Sequence, residues 1–214
     1  MAETTTSAHR HPGAGPVAEE HLPGFARRRP FALVLLVTGV IGWVASAILV
    51  LERLQLYKDP GHVTSCDINP WVSCGQVMGT WQSELFGFPN PFIGIVAYAV
   101  VIAVAVGVLA GARYASWFWW LLWLGIAAGS VFTLWLWWQT TFHINALCLY
   151  CMIVWCAQTL LLAHTTARMR RAGLIGSSRG TAAGSAAWAW LLGIGVLVIV
   201  FGIIAVRFST AIFA

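Results

Sequence analysis

The chain has 214 residues, of which 59% are hydrophobic and only 9% are charged, and its formal net charge is +5. An ordinary soluble domain carries roughly 25% charged residues, so this composition excludes a typical water-soluble globular protein and indicates an integral membrane protein. The positive charge does not indicate nucleic-acid binding, because the basic residues flank apolar segments instead of forming a basic domain.

Five apolar runs are each long enough to cross a bilayer core, which takes about 20 helical residues. They cover residues 31–51, 92–110, 115–138, 144–163 and 186–206, and none of them contains a charged residue. The first 26 residues lack apolar periodicity, and we expect a disordered tail there. The sequence therefore predicts an all-α membrane protein with five transmembrane helices.

The distribution of basic residues predicts the orientation of these helices, because short loops rich in Lys and Arg stay in the cytoplasm. With the N-terminus inside, nine of the twelve basic residues are cytoplasmic: Arg10, Arg27, Arg28, Arg29, Arg113, Arg168, Arg170, Arg171 and Arg179. Only Arg53, Lys58 and Arg207 then lie outside. This orientation makes the loop 52–91 extracytoplasmic.

The loop 52–91 carries two cysteines, Cys66 and Cys74, on the side of the membrane where disulfides persist. The residues between them include Asp, Asn, Pro and Ser, which favour an irregular loop. After Cys74, apolar residues recur at helical spacing at Val77, Trp81 and Leu85, which predicts a 12-residue amphipathic helix lying at the membrane interface. A static structural disulfide between the two cysteines is one interpretation of this loop.

The fourth apolar run begins with a second pair, Cys148 and Cys151, at the same membrane face. We expect Asn145 to cap this helix, which would place Cys148 in the first turn, where the helix dipole favours a thiolate. A C-x-x-C pair alone is compatible with redox chemistry, metal binding or packing. Cys156 lies deeper in the same run and is interpreted as a small buried hydrophobic residue.

Two dithiol pairs at one membrane face indicate thiol–disulfide exchange, in which a thiolate of one pair attacks the disulfide of the other. The electron acceptor available within a bilayer is a lipid-soluble quinone. The sequence has no haem-attachment C-x-x-C-H, no dinucleotide-binding glycine motif and no P-loop. Two other functions use the same residues: a membrane protein that binds a soft metal through its four thiols, and a structural scaffold with a stable disulfide.

Three motifs together resemble the bacterial vitamin K epoxide reductase family. They are C-D-x-N-x-x-x-S-C-G over residues 66–75, F-G-x-P-N over residues 86–90 followed by Gly94 and Tyr98, and the C-x-x-C of the fourth run. The resemblance covers roughly residues 30–165 and implies a four-helix transmembrane bundle around a quinone, with a short horizontal helix and a fifth transmembrane helix outside. The expected organisation is a tail at 1–26, a catalytic domain at 27–165, a cytoplasmic linker at 166–185 and the fifth helix at 186–214.

The resemblance also implies a role for each cysteine of the two pairs. Cys66 takes electrons from a thioredoxin-like oxidant of secreted proteins, Cys74 passes them to Cys148, and Cys151 faces the quinone. Asn90 matches the position that hydrogen-bonds a quinone carbonyl in this family, although a simple turn residue after a proline is an equal interpretation. The implied reaction oxidises dithiols outside the cytoplasm, reduces quinone to quinol and drives disulfide formation in exported proteins.

Two further expectations follow from the resemblance. Trp155 occupies the position where animal relatives have a tyrosine that helps to hold the quinone, so we expect Trp155 to contact it in a different orientation. Many bacterial relatives carry a fused thioredoxin-like domain, whereas this chain ends at Ala214, so a separate redox partner is expected. The composition, rich in Ala, Gly and Arg with one Lys, is typical of GC-rich bacteria, which favours menaquinone over ubiquinone. The resemblance to a bacterial membrane family implies a location in the bacterial inner membrane.

Overall fold

The computed structural model describes residues 28–176 and 186–213, and within these ranges the chain is helical apart from loops and isolated bridges. The helices are α1 Arg28–Lys58, α2 Cys74–Met78, α3 Pro91–Leu109, α4 Ser116–Trp138, α5 Leu149–Arg171 and α6 Ala186–Phe213. All except α2 are long and apolar enough to cross a membrane, which confirms the predicted five-span fold. The predicted disordered tail and residues 177–185 of the predicted linker lie outside the described residues.

Helix α1 packs along both α3 and α5, and glycines allow the contact with α3 to be close. A Cβ atom at Gly42 would overlap the ring of Tyr98, and a Cβ atom at Gly94 would overlap the hydroxyl of Ser46. Small residues at such positions let helix backbones approach each other within a membrane, where dispersion contacts drive association. The α1–α3 contact is therefore a tightly packed wall of the bundle.

Helix α5 continues to Arg171, beyond the predicted end of the bundle at residue 165. The charged residues of this last stretch were assigned to the cytoplasmic linker, but Arg168 is buried. Its guanidinium lies 4.6 Å from the ring centre of Phe31 and 4.9 Å from that of Trp119. Cation–π contacts with two aromatic rings stabilise a buried guanidinium, so the helix keeps its charged final turn against the bundle.

Helix α6 lies outside the other four long helices and packs against α5. The contact includes a buried apolar cluster in which Ile204 and Phe208 of α6 meet Trp155, Trp137 and Leu147. The four helices α1, α3, α4 and α5 form the bundle, and the fifth is peripheral, in agreement with the expected architecture.

The segment after Cys74 differs from the predicted amphipathic helix. Helix α2 stops after five residues, and a separate 3-10 turn follows at Trp81–Glu84. Trp81 is 66% exposed whereas Gln82 is buried, so the predicted apolar face was wrong at this turn. The hydroxyls of Thr80 and Ser83 donate hydrogen bonds to nearby backbone carbonyls, at 2.7 Å in both cases, and such local bonds compete with a continuous helix.

Candidate active site

The first cysteine pair lies in the polar segment that covers one end of the bundle. Cys66 and Cys74 form a disulfide, with Cα atoms 5.6 Å apart, and both residues are fully buried. Cys74 is the first residue of α2, whose N-cap Ser73 accepts a hydrogen bond from the backbone N–H of Gln76 at 3.1 Å. Cys74 is thus fixed at the start of a helix, while Cys66 belongs to an irregular loop.

The carboxylate of Asp67 holds this loop in place. It accepts hydrogen bonds from the backbone N–H of Thr64 at 2.8 Å, the hydroxyl of Ser73 at 2.6 Å and the backbone N–H of Gly75 at 3.0 Å. Burial acts to raise the pKa of Asp67, but the hydrogen bonds outweigh it, so this pKa lies below its ordinary value. The ionised carboxylate therefore links the chain on both sides of the disulfide.

Two backbone hydrogen bonds attach the same loop to the residues that precede α5. The N–H of Ser73 donates to the carbonyl of Leu147 at 2.9 Å, and the N–H of Leu147 donates to the carbonyl of Trp71 at 2.8 Å. This short bridge places the sulfur of Cys74 3.1 Å from the sulfur of Cys148. The structure therefore brings one member of each cysteine pair into contact.

Cys148 is itself the N-cap of α5, which corrects the expectation that Asn145 caps this helix. Helix α4 continues into a π-helical turn at Gln139–Ile144, and Asn145 ends that turn in a left-handed conformation with φ of 57°. These residues therefore belong to the end of α4, and α5 begins later than predicted. The sulfur of Cys148 accepts a hydrogen bond from the backbone N–H of Cys151 at 3.4 Å, so it takes the place of a capping oxygen.

A cavity of about 510 Å³ lies between the four bundle helices, next to the cysteines. Cys148 and Cys151 line it, as do Asn90 and Trp155. Most of the remaining lining is apolar and includes Leu49, Ile93, Leu122, Ile126, Val154 and Leu161. Its size and apolar character are those of a small-molecule site, which typically occupies about 300–1,000 Å³.

The sequence matches the family model described as Vitamin K epoxide reductase family over residues 33–166. This match covers more than half of the chain and includes both cysteine pairs. The chain belongs to the vitamin K epoxide reductase family. Comparison with curated proteins gives no match.

Membership of the vitamin K epoxide reductase family makes this protein a membrane oxidoreductase. The family is associated with quinones and generally works with thioredoxin-like partners. The disulfide of Cys66 and Cys74 and the membrane-spanning helices agree with this membership. The four cysteines named from the sequence lie together at one end of the bundle, whereas Cys156, half-buried on α5, is not among the residues that line the cavity.

Asn90 lines the cavity and also connects α3 to the polar segment that covers the cysteines. Its Nδ2 donates to the carbonyl of Gln82 at 2.6 Å, and its Oδ1 accepts from the backbone N–H of Leu85 at 3.3 Å. The turn interpretation of Asn90 therefore has a structural basis. Its contact with a quinone carbonyl stays a prediction. The second hydrogen of its Nδ2 is the group that would donate to that carbonyl.

Trp155 forms part of the wall between the cavity and the peripheral helix. Its indole packs in the cluster that contains Ile204 and Phe208 of α6, and it is almost fully buried. It follows Cys151 by one turn of α5, so both residues reach the cavity. Its contact with a quinone also stays a prediction.

Sequence reasoning gave no role to a buried polar group that reaches this cavity. Tyr98 on α3 donates a hydrogen bond from its hydroxyl to Oε1 of Gln158 on α5 at 2.9 Å, and both residues line the cavity. Two signals were available: Tyr98 is one of the residues that carry the family resemblance, and an amide such as Gln158 inside an apolar membrane span requires a hydrogen-bond partner on another helix.

Proposed function

We propose that this member of the vitamin K epoxide reductase family is a membrane thiol:quinone oxidoreductase. It oxidises a separate thioredoxin-like partner outside the cytoplasm, passes the electrons to quinone and so drives disulfide formation in exported proteins. The observation that carries the proposal is the 3.1 Å contact between the sulfurs of Cys74 and Cys148, because the second of these residues lines the apolar cavity. Direct sulfur contact between two pairs is what exchange requires.

The reaction begins with the Cys66–Cys74 disulfide, which is the form of this pair in the structure. A dithiol of the partner reduces it through a mixed disulfide at Cys66, and the partner leaves as a disulfide. Cys148 and Cys151 are free thiols in the structure, and the cycle requires their oxidised form, a disulfide left by the previous reduction of quinone. The Cys74 thiolate attacks Cys148 of that disulfide and displaces the thiolate of Cys151. Attack of the Cys66 thiolate on Cys74 releases Cys148 and restores the outer disulfide.

The inner thiols of Cys148 and Cys151 then supply two electrons and two protons to a quinone, which leaves as quinol while their disulfide forms again. The cavity suits this substrate because its walls are largely apolar and Cys148 and Cys151 line it. The expectation of menaquinone over ubiquinone rests on composition. In this proposal the N-terminus is cytoplasmic and the cysteines face the other side of a bacterial inner membrane.

A soft-metal site is the second candidate, and it has one observation in its favour. The sulfurs of Cys66, Cys74 and Cys148 all lie within 4.8 Å of one another. Three thiolates at this spacing suit zinc or copper(I). The disulfide removes two of the three ligands, so this candidate requires the reduced protein, and it predicts stoichiometric metal binding without quinone reduction.

The test is quinone reduction by the purified protein in detergent, followed by absorbance with dithiothreitol as the donor. We expect turnover by the wild type, loss of turnover in Cys151→Ser and retention in Cys156→Ser, the matched control on the same helix. Equal activity in both variants would contradict the proposed role of Cys151. A folded wild type that reduces no quinone but binds zinc stoichiometrically would instead support the metal site.

A further inference from the structure

A chain of buried hydrogen bonds crosses the bundle beside the cavity. The hydroxyl of Tyr98 is 2.9 Å from Oε1 of Gln158, whose Nε2 is 2.8 Å from the carbonyl oxygen of Ile126 and 3.1 Å from the hydroxyl of Ser130. The chain thus joins α3, α5 and α4 in the apolar interior. Buried polar groups in such surroundings are costly unless they are paired, so the arrangement is strongly specified.

The donors and acceptors of this chain have a fixed direction. The carbonyl of Ile126 can only accept, so the amide atom of Gln158 next to it is Nε2, which donates. The other amide atom is therefore Oε1, which can only accept, and the hydroxyl of Tyr98 must donate to it. The single hydrogen of the Tyr98 hydroxyl is thus committed to Gln158. Only the lone pairs of its oxygen are left for a molecule in the cavity.

Asn90, nearer the cysteines, can donate a hydrogen bond into the cavity, whereas Tyr98 can only accept one. One hydrogen of its Nδ2 goes to the carbonyl of Gln82, and the other has no acceptor among the hydrogen bonds of the described residues. Asn90 directly precedes α3 and Tyr98 lies within it, so roughly 12 Å of helix rise separates the two residues. The cavity therefore presents a donor toward the cysteine end and an acceptor deeper in the bundle.

We propose that Tyr98, oriented by Gln158, is a specificity-determining residue that accepts a hydrogen bond from a hydroxyl of the quinol. This inference rests on the proposed function, because it assumes that a quinone and its quinol occupy the cavity. A quinone has only acceptors, so Asn90 can donate to one carbonyl, whereas a carbonyl placed against Tyr98 faces only the lone pairs of its hydroxyl. A quinol accepts from Asn90 with one oxygen and donates to Tyr98 with the other.

The cavity therefore holds the reduced ring more tightly than the oxidised ring, which favours electron transfer from the inner dithiol. The reaction balances without a proton from Tyr98, since the two thiols of Cys148 and Cys151 supply both hydrogens of the quinol. The Tyr98 hydroxyl therefore needs only to accept a hydrogen bond from the quinol and does not need to supply a proton. One additional hydrogen bond corresponds to roughly fivefold tighter binding of the quinol.

The experiment measures binding of duroquinone and durohydroquinone to the Cys151→Ser protein, which cannot complete the inner redox cycle. Binding is followed under anaerobic conditions by quenching of tryptophan fluorescence, since Trp155 lines the cavity. We expect the quinol to bind roughly fivefold more tightly than the quinone. Adding Tyr98→Phe removes only the hydroxyl and is expected to make the two affinities equal, mainly by weakening quinol binding.

Adding Gln158→Met to the same background is the second arm. It releases the hydrogen of the Tyr98 hydroxyl, which can then donate to a carbonyl, so we expect tighter duroquinone binding and loss of the preference. If both ligands bind and Tyr98→Phe leaves the ratio of affinities unchanged, the role of Tyr98 is wrong while the proposed function stands. If neither ligand binds the folded protein, the proposed function fails and the inference fails with it.

Discussion

The carboxylate of Asp67 is the element whose loss we expect to separate the two cysteine pairs. Its three hydrogen bonds come from Thr64, Ser73 and Gly75, and the last two residues flank Cys74 on either side. Asparagine has the same shape but only one acceptor oxygen. In Asp67→Asn at least one of the three donors therefore faces an NH2 group, and the other bonds lose their ionic character.

The size of the effect follows from these bonds. A hydrogen bond to a charged group contributes about 1.5–3 kcal/mol when the group is shielded from water, and Asp67 is only half-buried. We therefore expect Asp67→Asn to reduce the free energy that holds the loop in its docked position by about 2 kcal/mol. This corresponds to a roughly 30-fold decrease in the effective concentration of the Cys74 sulfur at the Cys148 sulfur.

The assay isolates this contact by replacing Cys66 and Cys151 with serine, which leaves Cys74 and Cys148 to pair with each other. Purified protein is equilibrated in redox buffers of reduced and oxidised glutathione, and the disulfide is quantified by a maleimide gel shift. The buffer ratio at half-oxidation gives the effective concentration of the two thiols. Because the sulfurs of Cys74 and Cys148 are 3.1 Å apart in the structure, we expect this disulfide to form readily. In Asp67→Asn we expect a lower effective concentration of the two thiols, so the disulfide should need a more oxidising buffer.

Asp59→Asn is the matched control, because Asp59 lies in the same loop and accepts one exposed hydrogen bond from the N–H of Gly61. An exposed bond of this kind contributes little, so its removal is expected to leave the effective concentration within about twofold. Equal values for Asp67→Asn and Asp59→Asn would refute the conclusion that the Asp67 carboxylate holds the two sulfurs in contact.

Three further predictions concern the donor, the acid response and the helix packing. Cys66→Ser should abolish turnover with a reduced thioredoxin-like protein but retain part of it with dithiothreitol, as measured by quinone absorbance. Because folding lowers the pKa of Asp67, its stabilisation is full above the ordinary value of roughly 3.9 and is lost as the pH falls through the folded value. The difference in thermal unfolding temperature between the wild type and Asp67→Asn in detergent should therefore stay constant above about pH 4 and shrink only below it. Gly42→Ala should destabilise the protein by about 1–3 kcal/mol, because the added Cβ would overlap the ring of Tyr98. Gly125→Ala is the control, because a Cβ there meets open space, and thermal unfolding in detergent should show no destabilisation.

The helices and the two cysteine pairs were predictable because each depends on local sequence. A span requires only about 20 apolar residues, and all five predicted runs became long helices in the structure. The end of α5 was not predictable in this way. Arg168 carries a charge that normally marks the end of a span, but it is buried between Phe31 and Trp119, which come from two other helices. Aromatic partners so distant in the sequence leave no signal in the local pattern.

The polar segment that covers the cysteines shows the same limit. Its start was predictable, since apolar residues recur at helical spacing after Cys74 and α2 does begin at Cys74. Its continuation depended on competition between helix hydrogen bonds and the hydroxyls of Thr80 and Ser83, which hydrophobic periodicity does not record.

The position of Cys148 shows why the candidate site needed the three-dimensional structure. Its spacing from Cys151 placed both residues at a helix start, but the extra π-helical turn of α4 moved that start by several residues and made the sulfur itself the cap. As the cap, Cys148 lies outside the regular helix, with extended backbone geometry, and its sulfur reaches the bridge that carries Cys74. Were Asn145 the cap, Cys148 would lie within the first turn, and its backbone would take part in α5 instead of turning toward the loop. The contact between the two pairs therefore depends on where α4 ends, a feature that the cysteine spacing does not encode.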